Sequence, residues 1–201
     1  MAERKISIVA IKGSVRPNNY TAMALNLVLD EFKNHGGVSV QVFDPAELDL
    51  LPPGIEGESP DPGRMSAAVT EATGIVLATP EYHGSFSSIM KLAIENLGFP
   101  SVMGGKPVAL LGVAAGAIGA IKSLEALRGV CSHVGAIVLP GPVSVANCRE
   151  VFNEDGTCND ERTEKRIRGV ATNLMHYIED NICPRVSLEA IVRGEDLPGC
   201  D

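Results

Sequence analysis

The chain has 201 residues, 45% of them hydrophobic and 21% charged, and a formal net charge of −8. That length suits one domain with a sizeable core, and the balance excludes a disordered chain. An isoelectric point near 5.0 also excludes the concentrated basic surface that a nucleic acid or an anionic membrane would require.

Five cysteines, at 131, 148, 158, 183 and 200, form no CxxC pair, and four histidines stand singly. No metal site is expected; reduced thiols in a cytoplasmic protein are. Residues 1–5 lead straight into an apolar strand with no sign of a secretory leader. The longest weakly polar run, 107–121, falls short of the roughly 20 residues that span a bilayer.

Strand and helix signals then alternate. Residues 6–10 read as the first strand and 20–34 as a helix, with Leu25, Val28, Leu29 and Phe32 on one stripe. A second strand covers 38–43, a loop rich in proline, glycine and acid follows to about 62, and a helix is expected over 63–72. The third strand, 74–78, precedes a helix at 87–97 with Ile89, Leu92, Ala93 and Asn96 on one face. Residues 107–112 form the fourth strand. The next helix reaches His133 and buries Ala120, Leu124, Leu127, Cys131 and Val134. A fifth strand starts at 136–139 with room to continue to 145. The last helix, 162–179, aligns Ile167, Val170, Ala171, Leu174 and Ile178. Residues 1–181 therefore form one domain, and 182–201 a tail that packs on the body or on a neighbouring subunit. Five β-α units with nearly continuous apolar strands give a parallel sheet covered on both faces.

Loops at the carboxyl ends of such strands are where ligands bind. The first, Gly13-Ser14-Val15-Arg16-Pro17-Asn18-Asn19-Tyr20-Thr21, joins a strand to a helix amino terminus, where free N–H groups and the helix dipole favour an anion. Ser14, Asn19 and Thr21 add short polar groups, and Arg16 a guanidinium suited to phosphate. The same residues would also serve a plain capped helix start with a solvated arginine. The second, Pro80-Glu81-Tyr82-His83-Gly84-Ser85, offers an aromatic ring and a glycine to a flat ligand, or simply a tight proline turn. The third, from Gly112 through Gly116 to Gly119, is small enough to admit a ring, and equally explained by close packing. Neither GxGxxG nor GxxxxGK[ST] is present, which disfavours a dinucleotide fold or a nucleoside triphosphatase. One phosphate site beside one ring site points to flavin mononucleotide (FMN).

These motifs resemble those of the NADPH-dependent FMN reductases, a flavodoxin-like group that includes quinone, chromate and azo-dye reductases. The group's phosphate loop, GS-x-R-x-x-S-x-N/T, is matched at Gly13, Ser14, Arg16 and Thr21, with Asn19 where serine is usual. Its ring loop, PEYNGS, is matched at Pro80, Glu81, Tyr82, Gly84 and Ser85, with His83 in place of asparagine. Gly116 and Gly119, Leu124 to Arg128 and the stretch Phe152-Asn153-Glu154-Asp155-Gly156 extend the likeness over roughly residues 5–180.

The resemblance implies a flavodoxin-like three-layer sandwich with a five-stranded parallel sheet in the order 2-1-3-4-5. It implies FMN held by Ser14, Arg16, Asn19, Tyr20 and Thr21 at the phosphate, and by Pro80, Glu81, Tyr82, His83, Gly84, Ser85 and Gly116 around the ring. NADPH or NADH would pass hydride through FMN to a quinone or similar acceptor such as chromate, an azo dye or free flavin. No side chain is expected to act as a catalytic acid or base, and a homodimer or homotetramer is expected. The alternatives are a flavin reductase that releases reduced FMN to a partner, and a flavodoxin-type electron carrier.

Overall fold

The computed structural model describes residues 6–55 and 57–194. The expectation of a leaderless start at 1–5 and the end of the expected tail, 195–201, lie outside the described residues.

The core of the sheet is β1 (Ile6–Lys12), flanked in parallel by β2 (Val38–Phe43) and β3 (Gly74–Tyr82). β1 buries Ile8, Val9, Ala10 and Ile11 in succession, the pattern of a strand covered on both faces. A two-residue strand β4 (Ser85–Phe86) folds back on β3, and β5 (Pro107–Val113), buried throughout, pairs in parallel with the other side of β3. The outermost position is shared by β6 (Ile137–Val138) and β7 (Val143–Val145), both parallel to β5. The order β2-β1-β3-β5-β6 is the expected 2-1-3-4-5, with the hairpin strand β4 added and the fifth strand in two pieces.

The break in the fifth strand has a chemical cause. Pro140 and Pro142 have no N–H for the ladder. The pairing passes from Val108 with Val138 to Leu111 with Val143, so two extra residues are looped out between the pieces.

Helices cover both faces. α1 (Tyr20–Phe32) packs on one side against α6 (Glu161–Tyr177) through Leu25, Val28 and Phe32 on the first and Ile167, Val170, Ala171 and Leu174 on the second. The other side holds α2 (Asp61–Glu71), α3 (Ser88–Glu95) and α4 (Ile121–His133), through Met65, Val69, Met90, Leu97, Leu127 and Cys131. A short helix, α5 (Cys148–Val151), sits beyond β7.

Several expectations shift. In α3 the buried residues are Met90, Ala93 and Ile94, followed by Leu97, one step round from the expected Ile89, Leu92, Ala93 and Asn96. Both sets have helical spacing; the cap at Ser87 fixes which one faces the sheet. α2 begins at Asp61 rather than 63. α6 continues through a π turn (Ile178–Ile182) into α7 (Cys183–Arg193), so much of the expected tail is helical. Pro184 lies in that first turn of α7 and has no N–H to give, which accounts for the irregular turn before it. Gly194, at φ +68°, ends the helix.

One buried polar network ties the strand ends together. The Ser87 hydroxyl donates to the Gly13 carbonyl at 2.6 Å and accepts the Met90 N–H at 3.1 Å, capping α3. The Ser87 N–H donates to the Thr79 hydroxyl, which in turn donates to the Pro80 carbonyl. Gly13 allows this closeness, because a Cβ there would lie 2.8 Å from the Ala78 carbonyl oxygen. Ser87→Ala removes a cap and leaves the buried Gly13 carbonyl without that donor. It should cost about 2–4 kcal/mol, read as a lower urea midpoint at unchanged slope. An unmoved midpoint would show that the network is dispensable.

Candidate functional site

At the carboxyl ends of β1, β3 and β5 a cleft of about 300 Å³ opens between the first two loops. Its first wall is the turn into α1. The Asn19 carboxamide accepts the Ala22 N–H at 2.8 Å and donates to the Arg16 carbonyl at 2.6 Å, capping the helix and closing the loop on itself. Helix geometry leaves the N–H groups of Tyr20 and Thr21 without an intrahelical acceptor. Beside them the Ser14 side chain is buried, and its Oγ has no hydrogen-bond partner among the described residues.

The second wall is the β3–β4 hairpin. Glu81 faces Phe86 and Tyr82 faces Ser85, leaving His83 and Gly84 as the two turn residues at φ +50° and +73°. Two successive positive φ angles make the tight turn that suits the twist of a hairpin. Asparagine is favoured in this left-handed region and histidine is enriched there too, which accounts for His83 at a position where the resembled motif has asparagine. The Arg16 guanidinium lies 5.5 Å above the centre of the Tyr82 ring and so links the two walls.

Eight of the expected residues meet at this cleft: Ser14, Arg16, Asn19, Tyr20, Thr21, Pro80, Glu81 and Tyr82. Glu81 reaches it with its carboxylate already engaged, since Oε2 accepts the Ser123 N–H at 3.0 Å in the first turn of α4. His83, Gly84, Ser85 and Gly116 do not line it. His83 and Gly84 are the turn residues of the hairpin, and the Gly116 carbonyl accepts the N–H groups of Gly119 and Asn147. Sequence reasoning missed Pro17, Asn18, Val113 and Ala115, and also Cys148 and Arg149. The last two follow β7, whose carboxyl end lies at the same edge; the expected fifth strand could continue to 145, but nothing in the residues after it marked them as part of a site.

Cys148 is a buried free thiol. Burial pushes its pKa up, and the Arg149 charge only partly offsets that. Burial likewise raises Cys131, to about 12. A second cavity, about 290 Å³, lies beside Ile6, Pro107 and the Lys106 ammonium, at the amino ends of the strands. Lys106 donates there to the carbonyls of Thr70 and Ala72, tying down the end of α2. Ligands of open α/β sheets bind at the opposite edge.

The family model described as NADPH-dependent FMN reductase matches residues 6–150. The chain belongs to that family. It is therefore an oxidoreductase of the NAD(P)H- and FMN-dependent kind, and the electron-carrier alternative falls away. Among its relatives is an FMN-dependent NADPH-azoreductase of Staphylococcus aureus, 26% identical over 180 residues that cover 85% of this chain and 94% of that protein. Among solved structures, the flavoenzyme NAD(P)H:(acceptor) oxidoreductase FerB of Paracoccus denitrificans superposes with a TM-score of 0.74 at 21% identity, covering 87% of this chain and 98% of that one. An azoreductase of Bacillus anthracis superposes at 0.59 with 13% identity, covering 86% and 98%. At those identities the structures establish a shared fold. No helix among the described residues is long and apolar enough to cross a membrane.

The residues of the cleft fit the cofactor. A buried hydroxyl lacking a partner, two helix N–H groups and a nearby guanidinium form a donor set suited to a phosphate monoester.

Proposed function

We propose that this FMN reductase holds FMN in the cleft at the carboxyl edge of the sheet and reduces quinones or azo compounds with NADPH or NADH. The observation that carries the reading is Ser14. A buried hydroxyl without a partner costs about 1–3 kcal/mol, and here it stands at a helix amino terminus beside the unpaired N–H groups of Tyr20 and Thr21. A bound phosphate would satisfy all of them. Pro80, Tyr82, Val113 and Ala115 then supply flat or small surfaces for the ring.

Bound FMN supplies the electron transfer itself, accepting a hydride equivalent from the nicotinamide and passing two electrons onward. The protein's part is to bind and orient. Among the described residues that line the cleft the one carboxylate, Glu81, accepts the Ser123 N–H of α4. An acceptor of the quinone or azo class is favoured because such flat, conjugated molecules can occupy the open face that the nicotinamide vacates. The azoreductase name of the Staphylococcus aureus relative accords with that. Tyr82, Ile118 and Ile121, 39%, 81% and 48% exposed, favour self-association of the chain near this edge.

Three outcomes are expected. Arg16→Ala should weaken FMN binding by about 1.5–3 kcal/mol, measured by quenching of flavin fluorescence; native affinity in the variant would refute the phosphate assignment. Initial rates with NADPH and a quinone should give parallel double-reciprocal lines, because donor and acceptor take turns on one face. Intersecting lines would rule that sharing out. Light scattering at micromolar concentration should report a dimer or tetramer, and a fully active species of 21.1 kDa would refute self-association.

A further inference from the structure

Resting on that reading, we infer that Arg149, carried on α5, is a second arginine of the FMN phosphate site beside Arg16, which is carried on the loop before α1. It makes this chain's cleft a two-cation grip specific for the phosphorylated flavin.

The position of Arg149 is set by a rigid piece of chain. Ala114 N–H donates to the Val145 carbonyl at 2.8 Å, and Cys148 N–H returns to the Ala114 carbonyl at 3.1 Å, so α5 begins pinned to the end of β5. Asn147, at φ +47°, makes the sharp turn between β7 and α5. The buried Cys148 side chain anchors the start of α5. Buried Phe152 anchors its end, with its ring centre 6.3 Å from that of Tyr20, the first residue of α1. Arg149 therefore projects from a segment wedged between β5 and the first turn of α1, and it lines the same cleft as Ser14 and Thr21.

Charge argues for its task. The chain carries a net −8, yet the charged residues lining this cleft are Arg16, Arg149 and Glu81, and the Glu81 carboxylate is held by the Ser123 N–H. Arg149 forms no ion pair among the described residues, whereas Arg168 is bound by Glu164, Asp30 and Glu31. A phosphate monoester carries about −1.5 to −2 at neutral pH. One guanidinium and a helix dipole of about half a charge leave part of that unbalanced; a second guanidinium balances it. Arg16 also stacks on Tyr82, so its fork is shared between ring and anion, whereas Arg149 has no ring contact among the described residues.

The test compares flavins that differ only in the phosphate. Full-length wild type, Arg149→Ala and Arg149→Lys are titrated with FMN and with riboflavin, by fluorescence quenching at low and high salt. Thermal melts check that the variants fold. Wild type should prefer FMN strongly. Arg149→Ala should lose roughly tenfold to a hundredfold in FMN affinity, with riboflavin affinity unchanged and the salt dependence of FMN binding reduced. Arg149→Lys should recover part of the loss. Equal losses for both flavins would overturn the inference in favour of a packing role. Unchanged FMN affinity would overturn it too, as would a defect confined to NADPH against NADH, which would place the guanidinium on the donor's extra phosphate. If wild type itself does not distinguish FMN from riboflavin, the phosphate site as a whole falls; if only the variants match wild type, Arg149 alone is misassigned.

Discussion

The hydroxyl of Ser87 bonds simultaneously to the carbonyl of Gly13 and to the first turn of α3, and the geometry of the site depends on that bridge. Two loops separated by 74 positions in sequence meet at a fixed distance because one buried side chain belongs to both. The bridge is short and fully enclosed, so its partners have no water to exchange for it. It requires Gly13, because any side chain there would strike the Ala78 carbonyl. The loop before α1 and the start of α3 are therefore tied together beside the cleft.

Within that frame the donors divide their work. Asn19 spends its carboxamide on the helix start, and Glu81 spends its carboxylate on the start of α4. Ser14 keeps an unused buried hydroxyl, and Arg16 keeps its guanidinium near Tyr82. Polar groups that complete the scaffold are thus separable from those left over for a ligand, and the leftover set is one of donors. In a chain of net −8, such a concentration of donors and positive charge is suited to an anion.

The fold's irregularities serve the same edge. The looped-out prolines between β6 and β7 restart the fifth strand so that β7 ends beside β5, from which α5 delivers Cys148 and Arg149 to the cleft. The hairpin after β3 carries Tyr82 out past the sheet, where an ordinary strand-to-helix loop would have turned away.

Sequence by itself determined the layered fold and marked the two principal loops, while the strand order came through the family resemblance. Buried parallel strands must be apolar throughout, helices on their faces must show a 3.6-residue stripe, and an anion site at a helix start must combine small, polar and basic residues. All three are local patterns, which is why α1 and α6 were legible and the Ser14 to Thr21 loop could be marked as a candidate. Tertiary structure decided what no local pattern records. The face of α3 was ambiguous because two stripes one residue apart have equal periodicity, and a hydrogen bond to distant Gly13 chose between them. The hairpin at His83–Gly84 was hidden because its returning strand, Ser85–Phe86, is too short to leave an alternating pattern. Gly116 lies outside the lining of the cleft, and its carbonyl holds the N–H groups of Gly119 and Asn147, a long-range pairing that no local pattern shows. Arg149 carried no sequence signal of its own: an arginine after a strand becomes a cleft residue only when the packing of Phe152 and Cys148 brings that strand's end beside the start of α1.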